Sequence, residues 1–162
     1  MTHGHVSRRS AAEQHRLDTA LTTLFEQQIH FNQVLGLKLS GHGALGPTLR
    51  FDMRPELIGH HLYGRLHGGV ISATLDAMGG LALMWAIGEK HADEATMQVM
   101  QRFSRLGTID LRVDYLRPGL GKHFIASAEV LRLGGRVGTT QMRLVNDEGT
   151  LIATAAAAYV VS

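Results

Sequence analysis

The chain has 162 residues, 44% of them hydrophobic and 19% charged, with a formal charge of +2. That composition suits one globular domain with a proper core, leaves no room for two catalytic domains, and offers no basic tract for a nucleic-acid partner. Cysteine is absent, which removes disulfides, thiolate nucleophiles and Cys-based zinc sites together and suits a reducing, cytoplasmic compartment.

In chain order, MTHGHVSRRSAAEQHR lacks the apolar centre of a signal peptide, and residues 1–9, including His3 and His5, read as a disordered N-terminus. Residues 10–34 read as a helix. Ser10 caps it, Glu13 stands three later as in a capping box, and Leu17, Leu21, Leu24, Phe25 and Ile29 recur at helical spacing before Gly36. Residues 35–162 then form one domain. LKLSGHGALGPTLRFDMRP alternates around a Gly-rich turn, as a hairpin does, and stops at Pro55. His60, His61 and Gly64 fall in a loop before an apolar helix that covers 70–87.

That helix is long enough to span a membrane, but Asp76, Ser72, Thr74 and the Gly79-Gly80 pair make it the buried helix of a soluble protein, with no membrane partner. The following EKHADEATMQVMQRFSRLG is poorly patterned and is expected to be a mobile excursion with a short helix. Met97, Met100 and Phe103, with Met84 and Trp85, are its candidates for an apolar tunnel under a lid. In GTIDLRVDYLRP, Ile109, Leu111, Val113 and Tyr115 alternate with Asp110, Arg112 and Asp114, a half-buried strand ended by Pro118. Three more strands follow, separated by Gly134-Gly135 and Asp147-Glu148-Gly149, and their short connections make an antiparallel meander. The fold class is α+β: a single helix, apolar on most sides, is hidden only if an antiparallel sheet of six strands wraps it.

Asp76 is the one ionisable residue between Val70 and Ile87, and burying a lone carboxylate costs several kcal/mol or forces a large pKa shift. Three and four residues either way stand Ser72, Ala73, Gly79 and Gly80, all small, while Ile71, Leu75, Met78 and Trp85 lie opposite. The bulky face is expected to pack on the sheet and the small face to let another backbone approach, leaving Asp76 in a crevice. His67-Gly68-Gly69 gives the helix a Gly-rich entry suited to negative charge. From spacing alone, the favoured reading is a structural carboxylate hydrogen-bonded to a strand, with His67 a satisfied loop histidine.

RLHGGVISATLDAMGG, with the later DLRVDYLRP strand, resembles the signature of the hotdog-fold acyl-CoA thioesterases, in the branch of the phenylacetyl-CoA and human thioesterase-superfamily type proteins. Gly64, His67, Gly68, Gly69 and Asp76 match its pattern, and the resemblance covers roughly residues 35–161. It implies a hotdog fold and hydrolysis of an acyl-CoA to free acid and CoA, without cofactor. The long apolar residues at the candidate tunnel favour a medium- or long-chain fatty acyl group, with an aryl acyl group as the alternative. By position, the Gly68 N–H is the oxyanion donor at the His67 entry, and Asp76 is the general base or, as the lesser choice, the nucleophile. Thr108 falls where a water-orienting Ser or Thr is common, and His61 stands where family members often carry Asn. Coenzyme A phosphates would meet cations, for which Arg117, Lys122 and Arg136 near strand ends are candidates, with Gly69 at the substrate.

Helix geometry adds a constraint of its own. Gly68 and Asp76 are eight residues apart, about 12 Å along one helix, whereas base and oxyanion donor must both lie within about 3 Å of the reacting centre. If both act, they act from two chains, so a homodimer or a dimer of dimers is expected. The ten histidines match no zinc spacing, no Ser stands in a nucleophile elbow, and no P-loop or dinucleotide pattern is present. The alternatives are a hotdog enoyl-CoA hydratase and a non-catalytic acyl-CoA-binding sensor, which has no need of a carboxylate in the crevice.

Overall fold

The computed structural model describes residues 8–43 and 46–162; His3, His5 and the tip of the first hairpin lie outside them. The Ser10 hydroxyl accepts from the Glu13 N–H at 3.2 Å and opens α1 (Ala11–Thr23). The helix expected over 10–34 is interrupted. A π-helical turn at Leu24–Gln28 follows α1, Ile29 is extended (φ −83°, ψ 96°), and α2 (His30–Leu35) ends at a left-handed Gly36 (φ 73°). The break keeps Phe25 in the core beside Leu17 and Leu21, and the buried Asn32 amide repairs it by donating to the Phe25 carbonyl at 3.1 Å.

Glu13 does not complete a capping box. Its carboxylate instead accepts from the Thr96 N–H at 2.8 Å, at the start of α4 (Thr96–Phe103). That bond holds the Glu13 carboxyl below its ordinary value of 4.5. The segment before α1 is anchored as well: the Arg9 guanidinium donates to the carbonyls of Gly88 and His91, both at 2.7 Å, and so caps the long helix described next.

That helix, α3 (Gly68–Lys90), follows the hairpin β1 (Lys38–Gly43) and β2 (Gly46–Asp52), and a small ribbon, β3 (Ile58–His60) with β4 (Arg65–Leu66), stands where a loop was expected. After α4 come β5 (Gly107–Tyr115), β6 (His123–Leu133), β7 (Val137–Asn146) and β8 (Leu151–Val160). Six strands form one antiparallel sheet in the order β1-β2-β6-β7-β8-β5. Leu75, Met78, Leu81 and Leu83 of α3 are fully buried against it, and most of the helix's apolar window lies inside the protein.

Two expectations change. The small face of α3 is taken up partly by the chain's own sheet: a Cβ at Gly79 would overlap the Tyr159 hydroxyl and lie 2.8 Å from Thr140 Oγ1, and Gly80 is buried beside Leu106. Gly79→Ala is therefore expected to cost about 1–3 kcal/mol by overpacking, read as a lower urea midpoint at unchanged slope. The α4 segment is a packed helix, with Val99 and Phe103 buried and Arg102 Nε donating to Glu94 at 2.8 Å. Met84 and Phe103 lie in the core while Met97 is 78% exposed, so these side chains do not converge on one tunnel.

β5 forms an edge and carries a bulge. Thr108 pairs with Tyr159 and Asp110 with Ala158, so Ile109 is the extra residue and is 54% exposed. Strict alternation puts Ile109 inward and Thr108 outward, but one inserted residue reverses the parity before it. Thr108 thus shares the helix-facing side with Leu111, Val113 and Tyr115.

Candidate active site

The β3–β4 ribbon delivers the chain to α3. The His67 N–H donates to the Leu57 carbonyl at 2.8 Å, and Gly59 packs so closely that a Cβ there would lie 2.6 Å from the His67 Cα. His67 is extended (φ −66°, ψ 138°) and caps the helix: its Nδ1 accepts from the Gly69 N–H at 2.9 Å, which puts the proton of the neutral ring on Nε2. The His67 carbonyl accepts from the N–H groups of Val70 (3.0 Å) and Ile71 (3.3 Å). Among the described residues the Gly68 N–H has no acceptor. Of the amides at this entry it is the one open to a ligand, at the positive end of a 23-residue helix. Gly69, expected at the substrate, has its amide occupied.

Two turns further on, Asp76 is half-buried and makes no ion pair among the described residues. The Thr108 hydroxyl donates to its Oδ1 at 2.8 Å, and the Tyr159 hydroxyl donates to its backbone carbonyl at 2.9 Å. Burial, reinforced by the Asp76 charge, pushes the Tyr159 hydroxyl well above its ordinary value of 10.0 and keeps it a donor. One oxygen of the carboxylate, Oδ1, is thus held from the sheet by Thr108. Thr108 meets Asp76 itself, leaving its own lone pairs to accept.

The other candidates are more scattered. His61 is exposed in the turn between β3 and β4, its ring stacked on His60 at 5.8 Å rather than beside His67 or Asp76. Arg117, just past β5, donates to the Leu151 carbonyl at 3.0 Å. Lys122 and Arg136 are exposed at opposite ends of the 11-residue β6, about 35 Å apart at 3.3 Å per residue, so one chain cannot close both on one phosphate. Near the C-terminal end of α3, a polar cleft of about 510 Å³ gathers Lys90, Glu94, Arg102 and Arg105. Among the described residues no three His, Asp or Glu side chains converge as metal ligands.

The chain is similar to known proteins along most of its length. The family model described as the thioesterase superfamily matches residues 63–153, over half of the chain, a span that includes His67, Gly68, Asp76 and Thr108. The chain belongs to the thioesterase superfamily. The medium/long-chain acyl-CoA thioesterase YigI of Salmonella typhimurium is 39% identical to this thioesterase over 138 residues, spanning 85% of this chain and 89% of that protein. The Escherichia coli protein of the same name gives the same identity and coverage. A crystal structure of a Shewanella oneidensis protein related to the thioesterase superfamily superposes with a TM-score of 0.86 at 36% identity, covering 95% of this chain and all of that one. The fold is the hotdog fold, and the protein is a thioesterase.

Three residues that touch this thioesterase's candidate site escape sequence reading. Tyr159 had one visible sign, since it is the single bulky side chain closing the run TAAAAYVV. Tyr115 reads as one more inward strand residue, yet its hydroxyl donates to the Gly68 carbonyl at 3.2 Å. Gly59 reads as a loop glycine, and only the packing shows that a methyl group there would meet His67.

Proposed function

We propose that the protein hydrolyses acyl-CoA thioesters to free acid and CoA, with medium- or long-chain acyl groups preferred, as in the names of its YigI relatives. Asp76 acts as general base and the Gly68 N–H as oxyanion donor, each from a different chain. The observation that carries this reading is that two groups of α3 are tethered to opposite ends of β5: Asp76 is tied to Thr108 at one end of the strand, and Gly68 lies under Tyr115 at the other.

β5 ends the sheet, so its outer edge has no partner strand among the described residues. Pairing that edge antiparallel with a second copy, centred near Leu111 and Arg112, sets Thr108 close to Tyr115 of the partner subunit. Asp76 then approaches Gly68 of the partner subunit, and the roughly 12 Å between the two along one helix ceases to be an obstacle. Each dimer would hold two such sites. Arg117 of the partner subunit comes to the same side, which favours it over Lys122 and Arg136 for the CoA phosphates.

In the reaction, Asp76 Oδ2 takes a proton from water, and the resulting hydroxide oxygen bonds to the thioester carbonyl carbon. The carbonyl electrons move onto oxygen, where the Gly68 N–H and the helix dipole hold the charge. Collapse breaks the C–S bond, the electron pair leaves on sulfur, and the proton held by Asp76 neutralises the CoA thiolate. Thr108 keeps the carboxylate aimed throughout. Thiol release from acetyl-, hexanoyl-, decanoyl- and palmitoyl-CoA tests the reading. Turnover rising toward the longer chains is expected; tight binding of every ester with no thiol released would instead make the protein a sensor.

A further inference from the structure

We propose that Tyr115 is a positioning residue which, opposite the His67 ring, locks the Gly68–Gly69 peptide and so aims the Gly68 N–H. This rests on the assignment of Gly68 as oxyanion donor. A glycine pair has the widest backbone freedom of any dipeptide, which suits close approach of a substrate but leaves the direction of an N–H poorly defined. A donor that wanders by even an ångström loses much of its effect on a developing oxyanion.

Both peptide planes that flank the Gly68 α-carbon are pinned. The plane before it carries the Gly68 N–H itself and the His67 carbonyl, which accepts from Val70 and Ile71. The plane after it carries the Gly68 carbonyl and the Gly69 N–H. The Tyr115 hydroxyl donates to that carbonyl at 3.2 Å, and His67 Nδ1 accepts from that N–H at 2.9 Å. Since the peptide unit is rigid, grips on its two opposite edges fix it as one body, and the φ and ψ of Gly68 follow. The Tyr115 ring covers the same glycine, 3.5 Å from where its Cβ would stand.

Within one chain, burial does not explain this side chain. Tyr115 is 55% exposed at the last residue of β5, and the hydrogen bond its hydroxyl makes goes to the helix entry. The same arrangement assigns His67 its part: its ring occupies Gly69, so the entry presents one open amide rather than two. Asn, a strong helix N-cap with a side-chain oxygen of similar reach, can take over that grip, whereas Ala cannot.

The test is steady-state kinetics of the full-length protein on the best acyl-CoA, with thermal melting alongside. Tyr115→Phe keeps the ring and removes only the hydroxyl. It is expected to lower kcat about tenfold while KM stays within about twofold and the melting temperature holds. His67→Ala should lower kcat similarly and His67→Asn should restore most of it. Because both grips act on one peptide, Tyr115→Phe combined with His67→Ala should lose clearly less than the product of the single losses. Unchanged kcat in Tyr115→Phe, or losses that simply multiply, would overturn the proposal. Gly68→Pro in the same assay separates it from its premise. Full turnover there ends the assignment of Gly68, whereas loss there beside a wild-type Tyr115→Phe ends only the positioning role.

Discussion

Asp76→Asn is expected to lower kcat by about 10²–10⁴-fold, the usual contribution of a positioned general base, with KM and fold little changed. Asn has nearly the same shape, and its amide oxygen can still accept from Thr108 Oγ1, now 2.8 Å from Asp76. The bond from Tyr159 goes to the backbone carbonyl and survives any side chain at this position. With no cation paired to Asp76 among the described residues, removing its charge strands no partner, unlike breaking a buried ion pair. What is lost is the ability to take a proton from water. Single-turnover rates on decanoyl-CoA, together with circular dichroism, check this. A variant within a few-fold of wild type would sink the base assignment and return Asp76 to a structural carboxylate.

Mixing two inactive variants should restore activity. Gly68→Pro removes the open amide at a position where proline is favoured, the first residue of a helix. The preceding His67 already has the extended backbone that a following proline requires. A Cβ at Gly68 meets the Tyr115 ring only at ordinary contact distance, 3.5 Å, so the lesion is confined to the donor. Losing such a donor costs about 10²–10³ in kcat. When Gly68→Pro and Asp76→Asn chains are denatured together and refolded as a mixture, half the dimers are mixed. Each mixed dimer then has one site with both groups intact, so about a quarter of wild-type activity returns. If donor and base act within one chain, the mixture stays as inactive as its parts.

The sequence carried the architecture well because it is written in periodicity and turns. The apolar run around Leu75 and Leu83 could only be a core helix, and the glycine-punctuated meander could only be antiparallel. The His-Gly-Gly entry and Asp76 were legible too, as a charge in an apolar run and as a resemblance. Three things were not. The π-helical turn at Leu24–Gln28 leaves no trace in a 3.6-residue pattern, since the apolar side chains still fall on one side. The packed state of α4 depends on Glu13, more than eighty residues away, reaching Thr96. The grips on the helix entry by Tyr115 and on Asp76 by Tyr159 are likewise tertiary: each hydroxyl finds a backbone carbonyl, and backbone carbonyls have no letter in the sequence.

The bulge at Ile109 reaches further than its local geometry. Thr108 and Tyr115 are seven positions apart, an odd interval that a regular strand would send to opposite faces. Both reach α3 because one residue between them is uncounted by the pairing. The side chain at 109 points away and is exposed, so its size and chemistry matter little to either end. What the strand requires there is a residue of any kind, and the reach of both ends to the helix depends on the length of the chain between them rather than on what it spells.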